Sequence, residues 1–195
     1  VTLLQGDMPS LPRDRTYGHN RFAYWVISEW PFGMEIRENV IDPLLYRGEP
    51  VFWRNYEASY DVAELEPSSR EASTYVLQEY FVPVDRFDDF VPKMGEILRR
   101  HDVNMINVSV RHAKPDPGSL LAWARNEVFA FVLYYKQETD EAARRRVGAW
   151  TRELVDAAVS LGGSYYLPYQ PHATEEQFLR ASPRPAEFFA HHQRL

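Results

Sequence analysis

The alternation of apolar and polar residues is clearest from residue 73 onward. Residues 73–82 (STYVLQEYFV) are rich in β-branched and aromatic types and stop at Pro83, the mark of a strand. Phe87, Phe90, Val91, Met94, Ile97 and Leu98 then recur at spacings of three and four, the period of an amphipathic helix. Pro92 fits that helix if Asp88 or Asp89 caps its start, because a first turn has no internal partners for its N–H groups. Residues 103–111 (VNMINVSVR) alternate as a strand, and 113–119 form a Pro/Gly/Asp loop. Residues 128–135 (VFAFVLYY) make a third, strongly apolar strand. Over 140–161 an apolar stripe of Val147, Trp150, Leu154, Ala158 and Leu161 predicts a long helix, which Gly162 and Gly163 end. A short fourth strand follows at 164–167, and Thr174-x-x-Gln177 has the form of a capping box opening a last short helix.

Upstream the pattern is weaker. Residues 21–39 are rich in aromatics, with Pro31 and Gly33 interrupting any helix, and 51–65 suit a strand or an extended arm. The stretch 1–20, with Met8-Pro9-Ser10-Leu11-Pro12 and no period, reads as a linker cut from a longer polypeptide. Two parts are therefore expected: a linker and N-terminal arm or helical extension over 1–65, and a folded domain over 66–195. The order β-α-β-β-α-β is that of the ferredoxin-like, split-βαβ arrangement. It predicts an α+β fold with a four-stranded antiparallel sheet and two helices on one face, beside the N-terminal arm and a C-terminal helix. The other face of the sheet is left open and has to meet something.

Strand side chains point alternately to the two faces. In the second strand Ile106, Val108 and Val110 form the apolar set, so Asn107, Ser109 and Arg111 belong to the open face. In the first strand the two sides are nearly matched: Val76, Gln78, Tyr80 and Val82 against Tyr75, Leu77, Glu79 and Phe81. Gln78 and Tyr80 are placed on the open face. Amide, hydroxyl, guanidinium and phenol groups there would hydrogen-bond a polyhydroxylated or carbonyl-bearing small molecule. The plain alternative is a solvated or partner-covered face with no ligand.

Charge narrows the partners. With 28 acidic against 22 basic side chains the net charge is −6, which counts against a nucleic-acid backbone. There is no apolar run long enough to span a membrane and no signal-like start, so a cytoplasmic setting is expected. The absence of cysteine excludes disulfides, thiolate metal sites and cysteine nucleophiles.

The segment from Gly162 to Phe178 (GGSYYLPYQPHATEEQF) resembles the C-terminal part of the vanillyl-alcohol-oxidase-type flavoproteins. It is most similar in form to the sugar-lactone oxidases and the decaprenylphosphoryl-ribose oxidases. The stretch 74–83 (TYVLQEYFVP) looks like the first strand of their cap domain, and the resemblance extends over residues 56–189. It implies a substrate-side (cap) domain resting on a separate N-terminal domain that holds FAD. Nothing in this sequence looks like the Gly-rich pyrophosphate loop of such a domain. By position, the resemblance places Tyr166 and Tyr169 near flavin and substrate as catalytic and cofactor-contacting groups. It implies substrate contacts for Gln170 beside them, for Gln78, and for Arg111 near where the relatives use a basic group. Asn107 and Tyr80 would complete the polar surface. The sequence departs from the relatives at Tyr169, where the ribose oxidases carry lysine, and it lacks the His-Trp-Gly-Lys motif of the lactone oxidases. The implied chemistry is oxidation of a CH–OH group, in which a tyrosine or basic group takes or relays the hydroxyl proton.

Two rivals come from other classes. Residues 129–134 (FAFVLY) match the end of the RNA-recognition-motif signature on the third strand, where two aromatics stack bases. Against it, Glu127-Val128 replaces the usual basic-Gly pair. The other rival is a stand-alone ferredoxin-like binding or oligomerisation module, a homodimer pairing its open sheet faces. His172-x-x-Glu175-Glu176 is better explained by helix capping than by a metal, so no metal site is expected. Arg144-Arg145-Arg146 is read as a solvated helix face, His112 as a core-side or loop residue, and Trp123 as a shield over the pocket.

Overall fold

The structure, a computed structural model, describes residues 2–4, 18–45, 47–48, 51–53 and 69–192. Two compact units divide the chain, Val1–Tyr75 and Val76–Leu195.

In the first unit β1 (Thr2–Leu4) pairs in parallel with β2 (Val51–Trp53), Thr2 opposite Val51. Helix α1 (Gly18–Glu29) ends just before Pro31, whose missing N–H cannot continue the ladder. Phe32 then takes a left-handed conformation, φ 64°, and the Gly33 N–H closes the turn on the Trp30 carbonyl at 2.9 Å. From there α2 (Gly33–Ile36) runs through one π-helical turn, Arg37–Ile41, into α3 (Asp42–Leu45). Pro31 and Gly33 thus interrupt the helix where the sequence suggested.

The second unit is α+β. Its four strands are β3 (Ser73–Pro83), β4 (Met105–Ala113), β5 (Val128–Glu138) and β6 (Ser164–Tyr165). They form one antiparallel sheet in the order β4-β5-β3-β6. Helix α4 (Phe87–Arg100) follows β3, and α5 (Glu141–Ser160) follows β5. Both bury their apolar stripes on the same face of the sheet. There Phe90, Met94, Ile97 and Leu98 of α4 and Val147, Trp150, Leu154, Val155 and Ala158 of α5 meet Tyr80, Val82, Phe131, Leu133 and Tyr135. Burial of this apolar area is the principal force holding the layers together.

Helix ends follow local chemistry. Asp140 caps α5 by accepting the Ala143 N–H at 2.8 Å. Thr174 and Gln177 form the expected capping box at the start of α6 (Glu175–Ala181). The start of α4 differs from expectation. A 3-10 turn, Val84–Arg86, leads into it and no side chain caps it, while Asp89 is spent on an ion pair with Arg86 at 3.2 Å. Pro92 therefore sits in the second turn and leaves the Asp88 carbonyl without a helical donor, on an exposed flank where water can replace it. A further helix, α7 (Pro185–His192), ends the described chain and holds His191 and His192 in its last turn.

Candidate functional site

The pairing of β4 with β5 decides the faces. Val108 stands opposite Leu133, Val110 opposite Phe131 and His112 opposite Phe129, and Leu133 and Phe131 lie beneath the helices. The intervening residues Asn107, Ser109 and Arg111, opposite Tyr134, Val132 and Ala130, point to the helix-free side, as expected. A register irregularity between Met105 and Asn107 precedes them.

On β3 the expectation is reversed. Tyr80 is 1 % exposed within the helix-side core, and Gln78 and Val82 are buried with the same parity. Gln78 and Tyr80 are therefore not part of an open-face surface. Gln78 Nε2 and the hydroxyls of Tyr80, Tyr135 and Thr151 are buried in the helix-side core without a hydrogen-bond partner among the described residues, and burial drives the phenol pKa values of Tyr80 and Tyr135 far up. Glu79 and Phe81 take the helix-free face instead. The physical reason is cost: a neutral amide and a neutral phenol are far cheaper to bury than the Glu79 carboxylate.

That face is not bare. Residues 114–127 fold over one end of it, so that Phe81, Ala124, Val128 and Ala130 form a second core with Ala113 and Tyr166 packed against it. Trp123, expected from the sequence to shield a pocket, stacks on Phe81 with ring centroids 4.2 Å apart. One residue pair further along the strands, beside this covered end, lie Glu79 and Arg111.

The segment after β6 completes the group. Gly162, φ +80°, ends α5, and Gly163 brings the chain so close to β3 that a Cβ there would lie 2.1 Å from the Phe81 carbonyl oxygen. Arg125 donates to the carbonyls of Gly162 at 3.3 Å and Gly163 at 3.0 Å, and the Ser164 hydroxyl donates to the Trp123 carbonyl at 2.5 Å. Tyr165 pairs with Tyr80, and the Tyr166 N–H donates to the Glu79 carbonyl at 2.9 Å. The Tyr166 and Tyr169 rings then meet edge to face at 4.9 Å.

Charge acts among these residues at a distance. Partial burial raises the Glu79 carboxyl pKa, while the Arg111 guanidinium pulls it part of the way back. The Tyr169 phenol is raised by burial first, then by the charge of Glu79 and by Tyr166, with Arg111 again opposing. Glu79, Tyr166 and Tyr169 are thus a half-buried acid and two phenols on the helix-free face, with the exposed Arg111 beside them. Asn107 and Ser109 share that face, the Asn107 amide donating to the Ser109 hydroxyl at 3.2 Å.

Gln170 is engaged elsewhere. Its amide donates to Gln137 Oε1 at 3.0 Å, and its carbonyl lies 2.6 Å from His172 Nε2. His172 is held below its ordinary pKa by burial and by Arg152, whose guanidinium donates to its carbonyl oxygen at 3.2 Å. His112 pairs with Glu127 at 2.7 Å, away from the Glu79 group. Of the residues expected from the sequence, Arg111, Tyr166 and Tyr169 come together and Asn107 shares their face. Gln78, Tyr80 and Gln170 do not join them, and Glu79 was missed. A signal for Glu79 was present: it is the sole charged residue of β3, and a carboxylate resists burial under two helices.

Phe129 and Phe131, the aromatics an RNA-binding strand would display, pack on the helix side, with Phe131 1 % exposed. This removes the stacking platform that the RNA reading requires. Among the described residues no His, Asp and Glu group is placed to hold a metal, and no helix is long and apolar enough to cross a membrane. No family model, no curated protein and no solved structure matches the chain.

Proposed function

We propose that this chain is the substrate-side domain of an FAD-dependent oxidoreductase acting on a CH–OH group, with the flavin carried by a domain outside the sequence. The observation that carries the reading is the convergence of Glu79, Arg111, Tyr166 and Tyr169 on the one sheet face that no helix covers. Such a set can grip a hydroxylated carbon from several sides, with a guanidinium and phenols to donate and a carboxylate to accept. The donor set fits the substrate side of a flavin site. It offers no Gly-rich cradle for a pyrophosphate, which the reading assigns to the other domain. Bound there, the flavin supplies the two-electron acceptor for the carbinol carbon. This chain's residues would orient the alcohol, exclude water and handle its proton. The strand order β4-β5-β3-β6, with both crossover helices on one face, supports a ferredoxin-like arrangement as the frame.

Two measurements test this. Mixed with FAD and gel-filtered, the 195-residue chain should emerge without a stoichiometric visible flavin band; a stable band overturns the assignment of the flavin to another domain. The coding sequence around the chain should encode a Gly-rich flavin domain, and its whole product should be yellow. A colourless product with no such domain overturns the function itself.

A further inference from the structure

We propose that the chain holds a second ligand site, where α5 begins, and that it takes a small uncharged molecule with an apolar body and a carbonyl oxygen. The site stands apart from the Glu79 group and does not depend on the function proposed above.

A cavity of about 410 Å³ lies between the start of α5, the end of β5 and the turn that follows α4. That volume falls in the usual range for small-molecule sites, roughly 300–1,000 Å³. The turn is fixed by Asp102, left-handed at φ 48°, and by the Val103 N–H, which reaches back to the Leu98 carbonyl at 3.0 Å. Val103, Val147, Trp150 and the Tyr135 ring give the cavity its apolar part, Trp150 and Tyr135 meeting edge to face at 4.9 Å. An apolar body is favoured there because it takes the place of water on those surfaces.

The polar part carries a directed donor. Gln170, expected from the sequence to meet substrate, and His172 set its direction. The Arg152 guanidinium and His172 Nδ1 both lie 3.2 Å from the point a Cβ at Gly148 would occupy. The His172 ring, kept neutral by burial and by that cation, therefore turns its proton-free nitrogen toward Arg152. Its one proton is then on Nε2 and is donated to Gln170 Oε1 at 2.6 Å. Gln170 Nε2 in turn donates to Gln137 Oε1 at 3.0 Å. Gln137 lines the cavity, and with its oxygen so engaged its Nε2 is left to donate to an occupant. A carbonyl oxygen is the complement of that group.

Charge sets the remaining limit. Lys136 and Arg146 on the lining are matched by Asp102 and Glu138, and Arg146 donates to Glu138 at 2.6 Å. His101 turns Nε2 to Glu153 at 2.9 Å. A charged ligand of either sign would meet a like charge as well as an opposite one, while still losing its hydration.

The test titrates the 195-residue chain with benzamide, benzoate and benzylamine, probes of one shape that differ in head group, and follows its backbone amides by NMR. Benzamide should saturate with a Kd on the order of 1 mM, the strength of a small fragment. It should shift residues 103–104, 136–138 and 143–150 and leave 166–169 still. The two charged probes should bind at least about fivefold more weakly. Gln137→Glu keeps an acceptor for Gln170 and removes only the donor, so it should weaken benzamide about fivefold and turn the preference to benzylamine. Val147→Phe, which fills the cavity, should abolish benzamide binding in a chain that still unfolds cooperatively; should that variant not fold, the map of shifted amides decides the location. Failure of benzamide to saturate below about 20 mM, equal or tighter binding of a charged probe, an unchanged order of probes in Gln137→Glu, or shifts centred elsewhere would each overturn the proposal.

Discussion

At the scale of single residues, Gly163 and Glu79 show what a side chain, or its lack, decides. A methyl group at Gly163 would press on the Phe81 and Ala158 carbonyls at 2.1 and 2.8 Å, backbone atoms that cannot swing aside. Gly163→Ala should therefore destabilise the fold by about 3 kcal/mol, the upper part of the usual range for overpacking, read as a lowered midpoint in urea with little change of slope. The sequence marks this glycine only as a helix stop; its close approach to β3 is a tertiary fact. The candidate site was legible to the same degree. Tyr166, Tyr169 and Arg111 are visible from motif and alternation. Gln78 and Tyr80 mislead because both sides of β3 mix apolar and polar residues, so alternation alone does not orient the strand. The deciding contact is Tyr80 against Phe90, ring centroids 6.4 Å apart, some ten residues and one turn away in the chain.

At the scale of elements, strong periodicity is reliable and local compensation is not. The strands at β3, β4 and β5 and the long helix α5 are readable because their patterns run through one or more full periods. The capping box of α6 is readable because its chemistry lies within four residues. Thr174→Ala should remove that helix's first-turn acceptor and cost about 1 kcal/mol, measured by thermal unfolding. Repair should come from Thr174→Ser, which restores the hydroxyl. The start of α4 is less readable, because Asp88 and Asp89 offer caps on paper while the chain enters through a 3-10 turn that displaces them. Helix α7 has too short an apolar pattern to stand out from the sequence and shows only once Phe189 packs edge to face on Phe178, 5.9 Å between centroids.

At the scale of the Val76–Leu195 unit, two tyrosines buried beneath α5 set a pH limit. Tyr80 and Tyr135 both have pKa values raised by burial in the folded state. A raised acid keeps its full stabilising effect below the unfolded value, and that effect is lost as pH rises from there through the folded one. Stability should accordingly hold through neutrality and fall above pH of about 10, by about 2.7 kcal/mol per pH unit while both phenols ionise only in the unfolded chain. Urea titrations at successive alkaline pH values would record that slope, and Tyr135→Phe should halve it. The remaining consequence follows from Arg125. Its guanidinium holds the carbonyls at the end of α5, while the neighbouring Trp123 carbonyl receives the Ser164 hydroxyl, so the cover and the tyrosine segment are moored by the same few bonds. Cutting that mooring would let both drift together, loosening the Tyr166 and Tyr169 pair from a position that touches neither ring.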